Sequence, residues 1–202
     1  MEITGIVLAG GKGARLGHDK VLEILDGQSL LQKVVSRIKP LCVEIIVVTG
    51  ERHISSLPDE PALKTVRDVL PGRGPLGGIY TGLKTATSRY NIVVACDMPF
   101  LNTELLGGMV KLAPGYDAVV PRVGELVEPL HAVYSRDCRT PIEAMMDASD
   151  LSIYHLLRRV KVRYVEGDDI DRYDPDHLSF FNINTGADLE KARELARHEV
   201  RR

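Results

Sequence analysis

Short runs of β-branched and other aliphatic residues recur along the first half of the chain and predict strands. They span residues 3–9, 43–49, 91–96 and 116–121. Between the first two, residues 29–39 carry apolar side chains at helical spacing, which predicts an amphipathic helix. Such an alternation of strands and helices is typical of a mostly parallel sheet covered by helices on both faces. Folds of this kind bind their ligands at the carboxyl ends of the strands.

The second half of the chain has a more mixed pattern. Strands are predicted over residues 126–134 and 161–165, and helices over 136–146, 152–159 and about 187–197. The 202 residues suffice for one well-buried core and are few for two. We therefore expect a single domain over 1–202. Its fold class is predicted to be α/β, a Rossmann-like three-layer α/β/α arrangement with a mostly parallel central sheet.

Composition and charge narrow the classes of function. With 44% hydrophobic residues, 27% charged residues and a net charge of −2, the chain is typical of globular proteins and lacks the cationic excess of a general nucleic-acid or membrane binder. The three cysteines, Cys42, Cys96 and Cys138, lie too far apart for a CxxC-type metal site and are expected to be small buried side chains. No apolar run approaches the ~20 residues of a membrane span. We expect no membrane partner and a cytoplasmic location.

Candidate chemistry begins where the first predicted strand ends. The glycine-rich segment 10–20 carries Arg15 and Lys20, so backbone N–H groups and two cations converge on one short loop, as a polyphosphate requires. The loop does not match the Walker A pattern, and Leu16 stands where the dinucleotide fingerprint has its third glycine. A structural turn is the alternative interpretation.

Two further segments could face the same edge of the sheet. Asp97 follows a predicted central strand and offers a hard oxygen ligand for Mg²⁺; the alternative, a cap for the next helix, is better served by Asn102 or Thr103. The segment 68–79 is rich in glycine and proline and precedes a helix predicted to begin near Leu76. Its N–H groups could meet an anion or a base, although a structural turn would explain part of the pattern.

The motifs together resemble a known family. The string LAGGKGARLGHDK at 8–20 is similar to the LAGGxxxRxGxDK signature of nucleotidyltransferases that couple a nucleoside triphosphate to a phosphorylated acceptor. With GPLGG at 74–78, CDMP at 96–99, EPLHAVY at 128–134 and NINT at 182–185, the chain resembles the molybdenum cofactor guanylyltransferases along nearly its whole length. The first motif is shared by many relatives, whereas the combination is much more selective.

The resemblance implies a nucleotide-diphospho-sugar transferase-like fold and roles for particular residues. It assigns catalysis to Arg15, Lys20 and Asp97, with Asp97 as the Mg²⁺ ligand. It assigns the binding of GTP and the acceptor to Leu8, Ala9, Gly10, Gly11, Lys20, Asp68, Gly77, Asp97, Asn182 and Asn184. Cytidylyl relatives usually read LAAG, so Gly10 favours GTP over CTP. Residues of about 1–121 would bind the nucleotide and those of about 122–202 the acceptor.

The acceptor residues come from the second half. Asn182 and Asn184 are predicted to lie two apart on a strand and to present amides on one face, to a pterin or a phosphate. The alternative is that these amides hold a loop in place. His131 is expected to be packed in the interior and not catalytic.

The resemblance further implies the reaction and its partners. GMP would pass from GTP to the terminal phosphate of molybdopterin, with Mg²⁺ as cofactor and pyrophosphate as the second product. Transient contacts are expected with the proteins that donate the cofactor and the molybdoenzymes that accept it. Three alternatives stay open: a cytidylyltransferase for the same pterin, another nucleotidyltransferase with a phosphorylated acceptor, and a nucleotide-binding module without activity.

Overall fold

The computed structural model describes residues 1–10, 22–50 and 62–199. Three of the residues assigned above, Gly11, Arg15 and Lys20, lie outside the described residues. Within the described residues, no helix has the length and apolar character needed to cross a membrane.

Ten strands and seven helices are described. The strands are β1 (Ile3–Leu8), β2 (Ile24–Leu25), β3 (Gln28–Ser29), β4 (Glu44–Thr49), β5 (Leu63–Arg67), β6 (Tyr90–Ala95), β7 (Ala118–Val123), β8 (Leu126–Val127), β9 (His131–Ser135) and β10 (Val162–Glu166). The helices are α1 (Leu30–Ile38), α2 (Gly74–Thr85), α3 (Thr103–Leu112), α4 (Arg139–Asp147), α5 (Ile153–Arg159), α6 (Gly167–Asp171) and α7 (Gly186–Glu199). Short 3-10 turns occur at Lys39–Leu41, Arg136–Cys138 and Leu178–Phe180.

The strands form one eight-stranded sheet with the order β10-β7-β9-β6-β1-β4-β5, in which β8 pairs with β7. Strand β1 is parallel to both β4 and β6, β5 is parallel to β4, and β10 is parallel to β7. Strand β9 runs antiparallel between β6 and β7. The prediction of a mostly parallel sheet is confirmed, and β2 and β3 form a separate two-stranded hairpin.

Helices cover both faces of this sheet. On one face, α1 and α3 pack their apolar residues on side chains such as Val7 and Val94. On the other face, α2, α4 and α5 pack on side chains such as Ile6 and Val93. The neighbours Ile6 and Val7 thus point to opposite faces, as the period of two in a strand requires. The three-layer α/β/α arrangement predicted from the alternating pattern is confirmed.

A capping box formed by Ser29 and Gln32 sets the start of α1. The Ser29 hydroxyl accepts a hydrogen bond from the Gln32 N–H (3.2 Å), and the Gln32 side chain accepts one from the Ser29 N–H (2.8 Å). Two donors that the first helical turn would leave unpaired are thereby satisfied. This agrees with the predicted start of the helix at residue 29.

The interpretation of residues 126–134 as one strand was wrong. Two strands, β8 and β9, are separated by a turn in which the His131 N–H donates to the Glu128 carbonyl (3.1 Å). The Glu128 N–H donates to the carbonyl of Pro121 in β7 (3.1 Å). Pro129 lies in this turn and has no N–H to donate to a ladder, which explains the break.

The three cysteines are free. Cys96 and Cys138 are buried, as predicted, whereas Cys42 is half-buried. Burial raises the pKa of the Cys42 and Cys138 thiols to about 12. Both are therefore uncharged and poor nucleophiles at neutral pH.

Candidate functional site

The carboxyl ends of the central parallel strands bring the end of β1 next to the segments that carry Asp68 and Asp97. The Leu8 carbonyl accepts a hydrogen bond from the Cys96 N–H (3.2 Å), and the Ala9 N–H donates to the Val48 carbonyl (2.9 Å). Beside them, the Asp68 N–H donates to the Thr49 carbonyl (2.7 Å). One edge of the sheet therefore carries Leu8, Ala9, Asp68 and, directly after Cys96, Asp97.

Gly10 lies where two loops approach each other closely. A Cβ atom added to Gly10 would lie 3.0 Å from the Gly50 backbone nitrogen, which is tighter than an ordinary contact and cannot be relieved by a side-chain rotation. An alanine would therefore have to move the backbone at Gly10 and Gly50 apart. Packing is thus a sufficient reason for glycine at this position, and the connection between Gly10 and GTP stays a prediction.

Asp68 is held in a network at the start of α2. Its Oδ1 atom accepts hydrogen bonds from the Leu70 N–H (3.0 Å) and the Thr81 hydroxyl (2.7 Å). A Cβ atom added to Gly77 would lie 3.0 Å from the Leu70 carbonyl oxygen and 3.4 Å from Asp68 Oδ2. The loop that carries Asp68 and the first turn of α2 are therefore in direct contact, and Gly77 allows this approach.

Helix α2 begins at Gly74, two residues before the predicted start. Arg73 occupies the N-cap position without a side-chain hydrogen bond to the first turn. The predicted glycine-rich entry to a helix is confirmed. Sequence reasoning missed Thr81, which lies four residues after Gly77 on the same face of α2, because this spacing does not reveal its contact with Asp68.

The segment around Ile183 lies directly against the loop that carries Asp97. The Ile183 N–H donates a hydrogen bond to the Asp97 carbonyl (3.0 Å). Ile183 is buried, whereas its neighbours Asn182 and Asn184 are half-buried and exposed. The structure thus places the segment of Asn182 and Asn184 beside the loop that carries Asp97, and the role of the two asparagines stays a prediction.

The prediction that Asn182 and Asn184 lie on a strand was wrong, because residues 181–184 form no strand. The Asn182 side-chain amide donates to the Phe180 carbonyl (3.0 Å), and the Asn184 N–H donates to Asp188 Oδ2 (2.9 Å). The same Asp188 oxygen accepts from the Thr185 N–H (2.8 Å) at the start of α7. Local hydrogen bonds thus take the place of the predicted strand pairing. The Asn182 amide holds a loop in place, which is the alternative interpretation given above.

The segment 173–183, called the strap below, is fastened to the start of α3. The Asn102 N–H donates to the Ser179 hydroxyl (2.9 Å), and the Asn102 amide donates to the Tyr173 carbonyl (2.7 Å). Its Oδ1 atom accepts from the Leu105 N–H (2.9 Å), so Asn102 also caps α3. Of the two predicted caps, Asn102 and Thr103, the structure shows that Asn102 caps the helix, and its side chain also joins the helix to the strap.

Replacing Asn102 by alanine is expected to lower the free energy of unfolding by about 1–2 kcal/mol, because the cap and the bond to Tyr173 are lost together. Asn102→Ser keeps a capping hydroxyl and loses only the bond to Tyr173, so we expect a loss of about half that size. Urea denaturation of both variants checks this. A serine variant as unstable as the alanine variant would contradict the capping role.

His131 lies beneath the strap, in the interior. Its side chain is 0% exposed, and neither ring nitrogen has a hydrogen-bond partner within the described residues. The ring packs edge-on against Phe180, with the centroids 5.0 Å apart. Burial lowers the pKa of His131 to about 4, so the ring is neutral at physiological pH. The prediction of a packed histidine is confirmed.

The lowered pKa of His131 predicts a loss of stability in mild acid. The unfolded chain takes up a proton near pH 6.5, whereas the folded chain does so only near pH 4, so stability present above pH 6.5 falls between these values. Between pH 7 and pH 5 this loss amounts to about 2 kcal/mol. Urea denaturation at both pH values should show a smaller loss for His131→Phe. Equal losses in variant and wild type would contradict the assignment.

Known proteins resemble this chain over nearly its whole length. The family described as the MobA-like NTP transferase domain matches residues 5–164. The chain belongs to this family. The probable molybdenum cofactor guanylyltransferase of Pelotomaculum thermopropionicum is 36% identical, over 97% of this chain and 94% of the relative. The molybdenum cofactor guanylyltransferase of Desulfosudis oleivorans is 35% identical, over 94% of each chain.

A solved structure agrees with the family assignment. The crystal structure of molybdopterin-guanine dinucleotide biosynthesis protein A from Archaeoglobus fulgidus matches with a TM-score of 0.83 and 29% identity, over 96% of this chain and 99% of that one. The resemblance inferred from the motifs is confirmed, and so is the predicted fold.

Proposed function

We propose that this chain transfers GMP from GTP to the terminal phosphate of molybdopterin, forming the guanine dinucleotide of the cofactor and pyrophosphate. The observation that carries the proposal is the similarity to guanylyltransferases of the molybdenum cofactor over almost the whole of both chains. The geometry supports it, because one edge of the sheet brings together Asp68, Asp97 and the segment of Asn182 and Asn184. We place the reaction in the cytoplasm, with transient contacts to cofactor-donating and cofactor-accepting proteins.

The reaction needs no nucleophilic side chain. A terminal phosphate oxygen of molybdopterin attacks the α-phosphorus of GTP in line, the bond from that phosphorus to the bridging oxygen breaks, and pyrophosphate leaves. The nucleophile is already ionised, so the protein's part is to position the reactants and to neutralise charge on the phosphate oxygens. The buried, weakly basic His131 is accordingly not required as a general base.

The chain's residues divide this work. The backbone of Leu8, Ala9 and Gly10, together with Asp68 and Gly77, holds the nucleotide. On the sequence motif, Gly11 is assigned to the same backbone and Arg15 and Lys20 to the phosphates. Asn182 and Asn184 hold the acceptor, with Asn184 as the more exposed of the two amides.

Asp97 is the residue that would hold Mg²⁺. Its carboxylate stands at the carboxyl edge, and the described residues contain no cluster of three His, Cys, Asp or Glu side chains that could form an all-protein cage. One carboxylate combined with phosphate oxygens is a donor set that suits Mg²⁺. When bound, the ion neutralises charge on the phosphates of the nucleotide.

Position-specific labels of GTP test the proposal. With molybdopterin and Mg²⁺ present, label in the α-phosphate of GTP should appear in the pterin product, and label in the γ-phosphate should appear in pyrophosphate. Transfer of the γ-label to the pterin, release of inorganic phosphate alone, or binding of GTP without any product would each contradict guanylyl transfer.

A further inference from the structure

A buried hydroxyl on α2 is joined to the carboxylate assigned to the nucleotide. Thr81 is only 1% exposed, although it carries a polar side chain. Its hydroxyl donates a hydrogen bond to Asp68 Oδ1 (2.7 Å) and accepts one from the Val69 N–H (3.1 Å). The buried hydroxyl thus both donates and accepts a hydrogen bond, so Thr81 fixes the start of the loop to the helix.

The two carboxylate oxygens of Asp68 differ in their hydrogen bonds. Oδ1 accepts from Thr81 and from the Leu70 N–H (3.0 Å), whereas Oδ2 accepts no hydrogen bond from the part of the chain that the structure describes. Oδ2 lies on the side of Gly77, where a Cβ atom would come within 3.4 Å of it. Oδ1 is therefore held in place, whereas Oδ2, beside the first turn of α2, can still accept a hydrogen bond.

We propose that Thr81 is a positioning residue for the nucleotide: it anchors Oδ1 of Asp68 so that Oδ2 accepts a hydrogen bond from bound GTP. The inference rests on the proposed function, because that function makes Asp68 a nucleotide contact. Without the Thr81 hydroxyl, the Asp68 carboxylate can rotate in the free protein. Binding GTP must then fix its orientation, and this loss of conformational freedom weakens the affinity for GTP by about tenfold.

Substitutions at Thr81 separate positioning from packing. Thr81→Val keeps the branched shape and removes the hydroxyl, so we expect the Kd for GTP to rise about tenfold. Thr81→Ser keeps the hydroxyl and should bind GTP as the wild type does. Thr85→Val is the control on the same helix, because the exposed Thr85 hydroxyl donates only to the Thr81 backbone carbonyl (2.9 Å). Its GTP affinity should not change.

A double-mutant cycle gives the sharper test. In an Asp68→Ala background, Thr81→Val should have no further effect on the Kd for GTP, since the carboxylate that Thr81 holds is gone. A purely structural effect of Thr81 would persist in that background. If Thr81→Val does not fold, the pair Thr81→Ser and Thr81→Ala replaces it, because the two differ by the hydroxyl alone.

Titration calorimetry with GTP measures all of these variants, with thermal unfolding as a check of folding. Tenfold weaker binding by Thr81→Val, rescue by serine and loss of the effect without Asp68 support the inference. Unchanged affinity of Thr81→Val, or an effect that persists without Asp68, overturns the inference and leaves the proposed function intact. A wild-type protein that does not bind GTP overturns both.

Discussion

Replacing Asp97 by alanine is expected to lower the rate of pyrophosphate release from GTP and molybdopterin by at least about 100-fold in the presence of Mg²⁺. The physical reason is that this substitution removes the carboxylate proposed to hold Mg²⁺ against the phosphates. The fold should survive, because the hydrogen bond that joins this loop to the strap is donated by the Ile183 N–H to the Asp97 backbone carbonyl (3.0 Å) and does not use the Asp97 side chain. Steady-state release of pyrophosphate at saturating GTP measures the effect.

Asp137→Ala is the matched control for this experiment. The Asp137 side chain is exposed, and its partner is the exposed Arg89, 3.2 Å away, at the start of β6 and so at the opposite edge of the sheet from Asp97. Its removal should leave the rate unchanged. Full activity of Asp97→Ala at all Mg²⁺ concentrations would remove Asp97 from the metal site, and equal losses in the two variants would indicate a general effect on folding.

The largest expected effect on stability comes from Glu44, whose side chain is 10% exposed at the amino edge of the sheet. Its carboxylate accepts hydrogen bonds from the Thr87 hydroxyl (2.7 Å) and N–H (3.0 Å) and from the Thr4 hydroxyl (3.0 Å), and it pairs with Lys64 (2.9 Å). Burial alone would raise the pKa of Glu44, but the bonds from Thr87, Lys64 and Thr4 outweigh it and lower the pKa to about 2.

Glu44→Gln is expected to lower the free energy of unfolding by about 3 kcal/mol at pH 7, the value that corresponds to the lowered pKa. The control is Glu166→Gln, which breaks the exposed pair with Arg122 and should lower the free energy of unfolding far less, because solvent screens an exposed ion pair. Urea denaturation at pH 7 compares the two. Equal losses would contradict the account of Glu44.

The sign of the pH dependence follows from the same pKa. Because the pKa of Glu44 is lower in the folded chain than its ordinary value of 4.5, the stabilisation is fully present above pH 4.5. It disappears as the pH falls towards 2. The difference in stability between wild type and Glu44→Gln should therefore shrink over this range, and a constant difference would contradict a titrating carboxylate.

The central layers of the fold could be predicted from the sequence because hydrophobic periodicity determines which faces are buried. The fully buried strands β1, β4 and β6 have near-continuous apolar runs. Strand β5 was not predicted, since this edge strand is mostly exposed and carries Lys64 and Arg67. The break between β8 and β9 depends on a turn at Pro129. It was not predicted, because the apolar residues on both sides of Pro129 are typical of one continuous strand.

The placement of the candidate site could be predicted for a different reason. Residues that follow parallel strands meet at one edge of the sheet, so the position of Asp97, directly after a predicted strand, could be predicted. Asp68 was assigned from the resemblance, because β5, the strand before it, was not predicted. Two features could not be predicted. The hydrogen bond from Ile183 to Asp97 joins distant parts of the chain that no sequence pattern connects. The role of the Thr81 hydroxyl depends on its tertiary contact with Asp68, which the sequence of the helix does not reveal.

Gly10 shows the limit of inference from a motif. The resemblance connects this glycine with the choice of GTP over CTP, whereas the structure provides a packing reason, the close approach of Gly50. Since both reasons predict glycine, the residue alone does not decide the base.

The choice of base is therefore the most direct test of the account. Purified protein with molybdopterin and Mg²⁺ should be assayed with GTP and with CTP, measuring kcat/KM from the release of pyrophosphate and identifying the pterin product by mass. We predict that kcat/KM is about 100-fold higher for GTP, with the guanine dinucleotide as product. A higher kcat/KM for CTP, with a cytosine dinucleotide as product, would contradict the central claim.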